Sequence, residues 1–473
     1  MSEDSASAGQ VAVSERPLAS ARRLILPLAL AQFICSFAGS NMNVMITDIS
    51  DDLDTTVKGV QTAITLFLLI MAILMIPCSK LTDRWGRKRC FIWGLTLYGI
   101  GALLSAVSPG LGVLILGNSV FEGVGTALLI PPVYILATVW FTDITSRAWA
   151  FGVISGLGGI GAAAGPLIGG VLTTGISWRA AFVFQALIVG TIVLLSRRMV
   201  DPLAADPTRP FDTVGAVLLG IGMFCVVFGI LQAGSNNTLF AAFLAIGVVF
   251  LVAFFLFIRR RERAGKEALL STGLFRNRTC NLALVTQNIQ WLLLMGVSFV
   301  VSVFLQEVRG YSAIKTGVIF TAATLGILFS SLAAEKLAKR YAQRTLIIAG
   351  FVTTVAGIGL VLGLVLAWDS VFAFVPGLAL IGLGLGAMLT PSVNVVQSSF
   401  PEELQGEISG LSRSISNLGS SFGTAIAGTI LVAAVSRGNG AYAWAMASLV
   451  VFGLIGLGAA VLLPGSRASR AEL

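Results

Sequence analysis

The chain of 473 residues contains no histidine. That absence removes histidine-based catalytic triads, imidazole metal sites and imidazole proton relays. Cysteine is scarce: Cys35, Cys78, Cys90, Cys225 and Cys280 are scattered, odd in number and form no C-x-x-C pair. They read as small apolar packing residues, so neither a disulfide frame nor a metal site is expected. No phosphate-binding P-loop occurs, which leaves direct ATP drive without support. Gly156-x-Gly158-x-x-Gly161 fits a dinucleotide fingerprint, but it lies inside an apolar run with no βαβ context and is set aside. Charge is also sparse, at 11% of residues against 56% hydrophobic, with a mean hydropathy of +0.92. These values belong to a polytopic membrane protein.

What the chain does have is long uncharged runs, such as Thr62 to Pro77 and Cys90 to Ser108. Runs of about 18 or more apolar residues read as membrane-spanning helices, because the bilayer offers the backbone no water. Spans are expected near 24–47, 59–78, 90–108, 111–136, 149–174, 180–197 and 213–233. Seven more follow near 238–258, 281–305, 314–334, 345–367, 371–396, 407–434 and 441–463. Between the second and third runs, Lys80, Arg84, Arg87, Lys88 and Arg89 crowd into one short loop. The positive-inside rule makes that loop cytoplasmic. Arg197, Arg198, Arg209, the Arg259–Lys266 cluster and Lys336, Lys339, Arg340 and Arg344 fall on the same side, opposite Asp48, Asp51, Asp52, Asp54 and Asp369. An even count of fourteen then leaves both ends cytoplasmic, with no cleaved signal peptide. The net charge of +9 is read as basic loops facing anionic lipid, with no nucleic-acid partner.

The chain also repeats itself. Gly123-x-Gly125-x6-Pro132-x8-Phe141-x-Asp143 matches Gly382-x-Gly384-x6-Pro391-x8-Phe400-x-Glu402 at an offset of 259, and Leu337 to Arg344 is a worn copy of the basic loop at an offset of 256. Near-equal offsets indicate duplicated halves of six spans each. Six spans with short loops take up only about 200 residues. The runs at 213–233 and 238–258 account for the excess as two extra helices between the halves, expected at the periphery.

Leu81-Thr82-Asp83-Arg84-Trp85-Gly86-Arg87-Lys88 resembles the loop signature G-x-L-a-D-r-x-G-r-k of the major facilitator superfamily, with Ser79 at the first glycine. Gly161-Ala-Ala-Ala-Gly165-Pro166-Leu167-Ile168-Gly169-Gly170 resembles the antiporter motif g-x-x-x-G-P-x-x-G-G. The fourteen-span layout is similar to the drug:proton antiporter-2 group. The resemblance implies an all-α integral membrane protein of the major facilitator fold, with two six-helix bundles plus two extra helices and a site between the halves. The expected division is a tail at 1–20, a first bundle at 21–200, loops and two helices at 201–280, a second bundle at 281–464 and a tail at 465–473. Small residues four apart let helices approach closely, and Pro166 permits a bend, which suits a sealing surface between halves. The resemblance also implies a latch at Asp83 and Arg84 toward the other half, with Arg147 as neighbour.

The fourth run departs from the family pattern R-x-x-q-G-x-g, because Ser119 stands in place of the arginine and Glu122 in place of the glutamine. Glu122 lies about eleven residues into its run, roughly 16 Å deep. Idle acids are selected against at that depth by about 2.5–3.5 kcal/mol. It is therefore expected to couple transport to protons, neutral when shielded and ionised when water arrives. The other reading is a protonated acid hydrogen-bonded to a neighbouring helix. The first run supports the coupling role, since Ala38 stands where related antiporters carry an acid, although Asn43 is kept. Asn43, Asn118, Ser119, Gln287, Asn288, Gln290, Trp291 and Asn394 are expected to line a large cavity of mixed polarity.

The expectation from sequence is thus a proton-coupled exporter of lipophilic or cationic small molecules in the plasma (bacterial inner) membrane. It is taken to be monomeric, neither an enzyme nor dependent on a cofactor, and driven by the proton gradient. The alternatives are a proton-coupled metabolite symporter and a lipid-handling or sensor protein on the same fold.

Overall fold

The computed structural model describes residues 18–141, 144–197, 199–201, 205–338, 340–368, 370–400, 404–433 and 439–464. Most of the two expected tails, and Asp143 and Glu402 of the repeat, lie outside the described residues. Among those described, helix dominates, as it must where every backbone group needs a partner inside the segment. We number the helices by membrane crossing. The first crossing, α1, runs Leu18–Asn41 and continues through a tight turn, Met42–Met45, into Ile46–Asp52. Then come α2 (Val57–Trp85), α3 (Arg87–Ala106) and α4 (Leu111–Trp140), the last with a π-helical stretch at Ile115–Glu122. They are followed by α5 (Ile144–Gly175), α6 (Trp178–Ser196), α7 (Thr213–Gln232) and α8 (Asn237–Arg263). The remaining crossings are α9 (Arg278–Val303, extended by a π turn at Phe304–Val308), α10 (Ala313–Ala338), α11 (Gln343–Ala367), α12 (Val375–Gln397), α13 (Gln405–Ala433) and α14 (Asn439–Val461).

Thirteen of these spans are long and apolar enough to cross a membrane as they stand, and α5 makes a fourteenth with a 41° bend between Trp149–Ala162 and Ala164–Gly175. The bend has a local cause. Pro166 cannot donate to the carbonyl of Ala162 four residues back, and its ring crowds that carbonyl.

The crossings assemble as two groups of six. In the first, α1 packs on α5 and α6, α3 on α4 and α6, and α2 on α4. In the second, α9 packs on α13 and α14, α11 on α12 and α14, and α10 on α12. Two long contacts join the groups, α2 along α13 and α5 along α10. The extra pair is only half peripheral. Helix α8 buries 17% of its apolar window against 83% for α9, but α7 lies against α2 and α13 and covers one edge of the seam. Asp212 fixes that placement: it caps α7 at Gly215 N (3.0 Å), accepts from Leu269 N (3.1 Å) and sits 3.7 Å from Arg261.

Candidate functional site

Glu122 closes the π-helical stretch of α4 and has no exposed surface. Its neighbours belong to its own bundle. Asn118, one turn earlier, donates to Oε2 at 3.5 Å, while the α3 backbone at Gly101 approaches so closely that a Cβ there would lie 2.9 Å from the Glu122 Cγ. Tyr98 of α3 interacts with Glu122 and gives its hydroxyl proton to Gln185 of α6 at 2.5 Å. Cys35 of α1 and Thr126 complete the surroundings. The acid is thus held between α1, α3, α4 and α6, away from the seam where it was expected. Two amide atoms close by, Asn118 Oδ1 and Gln185 Nε2, have no protein hydrogen-bond partner. Interiors seldom leave such atoms orphaned.

The expected cavity lining is mostly taken up by helix packing. Ser119 donates to the Ala63 carbonyl of α2 at 2.8 Å. Gln287 donates to Ser416 and accepts from Ser412, both at 3.0 Å, and Asn288 donates to the Ile415 carbonyl at 2.9 Å. All three of those contacts join α9 to α13 inside the second group. Gln290 is buried with both amide atoms unpaired, Trp291 is half-buried, and Asn394 is exposed on α12. Among the eight, Asn43 bridges the groups, donating to Ser298 of α9 at 3.1 Å. The tight turn at Met42–Met45 leaves the Asn43 carbonyl free to accept from Gln306 Nε2 at 3.1 Å, and Gln306 Oε1 accepts from Thr47 N at 3.2 Å. Nothing in the sequence marks Gln306 beyond its position in a π turn of α9.

Along the seam, Gln61 donates to the Thr424 carbonyl (3.0 Å), Ser421 to Thr65 (3.1 Å) and Ser414 to Ala72 (2.6 Å), so serine-rich α13 is stitched to α2. At the other contact the backbones of α5 and α10 nearly touch. A Cβ on Gly170 would meet the Ala313 oxygen at 2.6 Å, and one on Gly317 would meet the Pro166 oxygen at 2.3 Å. Gly161 and Gly165 face α1 instead, at Phe33 and Ser40, while Gly169 faces Asn41 and Val44. The glycine motif therefore seals α5 against α1 and, at its far end, against the other group.

Residues 28–424 match the family model described as Major Facilitator Superfamily. The chain belongs to that superfamily. It is accordingly a multi-pass membrane transporter and not an enzyme. It is 30% identical over 420 residues to the puromycin resistance protein pur8 of Streptomyces alboniger, covering 87% of this chain and 82% of the relative. It is 29% identical over 407 residues to the multidrug efflux pump LfrA of Mycolicibacterium smegmatis, covering 86% and 80%. A crystal structure of a peptide transporter in complex with sulfate shares the fold, with a TM-score of 0.69 over 93% of this chain and 94% of its own at 17% identity.

The major facilitator loop is held differently from what its motif implies. Asp83 pairs with Arg87 at 2.9 Å and with Arg209, after α6, at 2.5 Å. Asp201 accepts from the backbone N–H groups of Arg87 and Lys88 at the start of α3, at 2.7 and 3.2 Å, where a helix N-terminus favours an anion. Gly86 takes a φ of +93°, the left-handed region that suits glycine between two helices, and Leu81 is half-buried. Arg84 is also half-buried, and the side chain of Arg147 lies outside the described residues. The ion pair that reaches the other bundle is Lys80 to Glu407 at 2.6 Å, with Glu267 a further 3.6 Å partner. Both were missed because Lys80 reads as topogenic charge and Glu407 as a helix start. A pair of this exposure contributes on the order of 1 kcal/mol. Glu407→Gln is accordingly expected to shift the balance between transporter states about fivefold, read as faster labelling of a Ser79→Cys probe by a thiol reagent. The swap Lys80→Glu with Glu407→Lys should restore the wild-type rate, and unchanged labelling in Glu407→Gln would remove the latch.

Proposed function

We propose that this transporter expels amphiphilic small molecules from a bacterial cell in exchange for protons, from an inner-membrane position with both ends cytoplasmic, acting as a monomer. Support for export comes from the puromycin resistance and multidrug efflux relatives. Support for alternating access comes from the seam, which carries the reading. Among the described residues the two groups meet mainly along two long helix contacts, one carrying serines and one glycines. Helix faces of small residues can part and re-form as the groups tilt.

Glu122 is the proposed proton carrier. Burying an unpaired carboxylate costs far more than burying the neutral acid, so this closed pocket holds the side chain protonated. A local parting of α3 from α4 inside the first group, coupled to the tilt, would admit water between Gly101 and Glu122 and release the proton.

The test uses everted membrane vesicles and the neutral dye Nile red. Uptake above control vesicles is expected when the interior is acid, falling to the control level once an ionophore collapses the gradient. Uptake indifferent to the gradient overturns proton exchange, and no uptake above control overturns export.

A further inference from the structure

One cation reaches across the seam between the two groups. Arg413 lies eight residues inside α13, and it is the one Lys or Arg more than two turns from the nearer end of a described helix. Its Nη2 donates across the seam to the hydroxyl of Tyr134 on α4, and its guanidinium lies over that ring, 4.7 Å from the centroid. Tyr134 in turn donates to Gln32 of α1 at 3.2 Å, and Gln32 donates to Ser36 at 3.2 Å. Among the described residues no carboxylate pairs with Arg413. Glu122 forms no ion pair with it: the acid is fully buried in its own bundle, although both groups lie within electrostatic reach of Cys35. Arg413 and Tyr134 are nonetheless both part-exposed, beside Phe151, whose ring lies tilted at 45° with its centroid 5.9 Å from that of Tyr134.

We propose that Arg413 makes the substrate path select aromatic organic anions, carboxylates or acidic phenols, over cations. The inference rests on the efflux reading and narrows its substrate class. An arginine at membrane depth without a fixed counter-ion is expensive, and a bound anion relieves it. The planar guanidinium can donate two parallel hydrogen bonds to a carboxylate, while Tyr134 and Phe151 offer an aromatic wall to the rest of the molecule. Among the described residues no carboxylate pairs on this face to meet a cation.

The test is binding to purified protein of three matched probes: 2-naphthoate, its methyl ester and 2-naphthylmethylammonium. Wild type is expected to bind naphthoate at least tenfold more tightly than either of the others. Arg413→Gln should bring the naphthoate-to-ester ratio to about one, and Arg413→Lys should recover part of the preference. Wild-type binding of the cation as tightly as the anion, or of no probe, overturns the proposal. So does an Arg413→Gln variant that keeps the wild-type ratio, or one in which Arg413→Lys behaves no better. Nile red uptake in wild-type vesicles is scored separately. An anion preference without uptake would keep this inference and remove the efflux reading.

Discussion

Glu122→Gln is expected to leave a folded protein that still exchanges substrate across the membrane but no longer accumulates it. The substitution keeps the shape and the hydrogen bond with Asn118 while removing the only acid buried at mid-membrane among the described residues. One proton crossing about 100 mV supplies roughly 2.3 kcal/mol, enough for a solute gradient of about fifty-fold. That gradient should fall to about one in the variant. Counterflow, in which labelled solute exchanges with unlabelled solute without a proton gradient, should stay within twofold of wild type. Loss of both together would place Glu122 in the packing of α3 on α4, and wild-type accumulation would remove it from coupling.

Gly317→Leu should be as damaging at the opposite contact. Its Cβ would lie 2.3 Å from the Pro166 oxygen, and backbone cannot rotate out of the way. Overpacking of this kind costs about 1–3 kcal/mol, and here the cheapest relief is to part α5 from α10. A shift of 3 kcal/mol changes a two-state ratio by more than a hundredfold. Transport is expected to fall at least tenfold. A cysteine at position 43, now buried where α1 meets α9, should react at least tenfold faster with an impermeant maleimide. Gly152→Leu is the control, since nothing lies within 4 Å of a Cβ there. Equal effects of the two substitutions would show that bulk on α5 or α10 acts generally and not at the seam.

What was legible in the sequence follows from what the bilayer enforces. Span lengths, the basic loop and the duplicated glycine and proline positions are written in composition, because apolar thickness and charge asymmetry act on every residue alike. The depth of Glu122 was legible for the same reason. Its facing was not, because the π-helical stretch at Ile115–Glu122 breaks the regular helical spacing and turns the side chain toward Gly101 without any pattern to announce it. Polar residues in spans were read as cavity, whereas Gln287, Asn288 and Ser119 tie helices together. Such bonds depend on which helices become neighbours, and that is a property of the assembled bundle. Arg413 does carry a signal in the sequence, a lone cation in a serine-rich run, whereas nothing distinguishes Lys80 from the other basic residues of its loop.

The most direct test of proton exchange by two tilting groups is its reciprocal. Purified protein is reconstituted into vesicles holding a pH-sensitive dye, with equal pH on both sides and the membrane potential clamped at zero. A steep substrate gradient is then imposed from inside to outside. Antiport predicts that protons enter as substrate leaves, acidifying the interior in wild type and not in Glu122→Gln. An interior pH that stays flat while wild-type protein releases substrate, or that rises, would contradict the account.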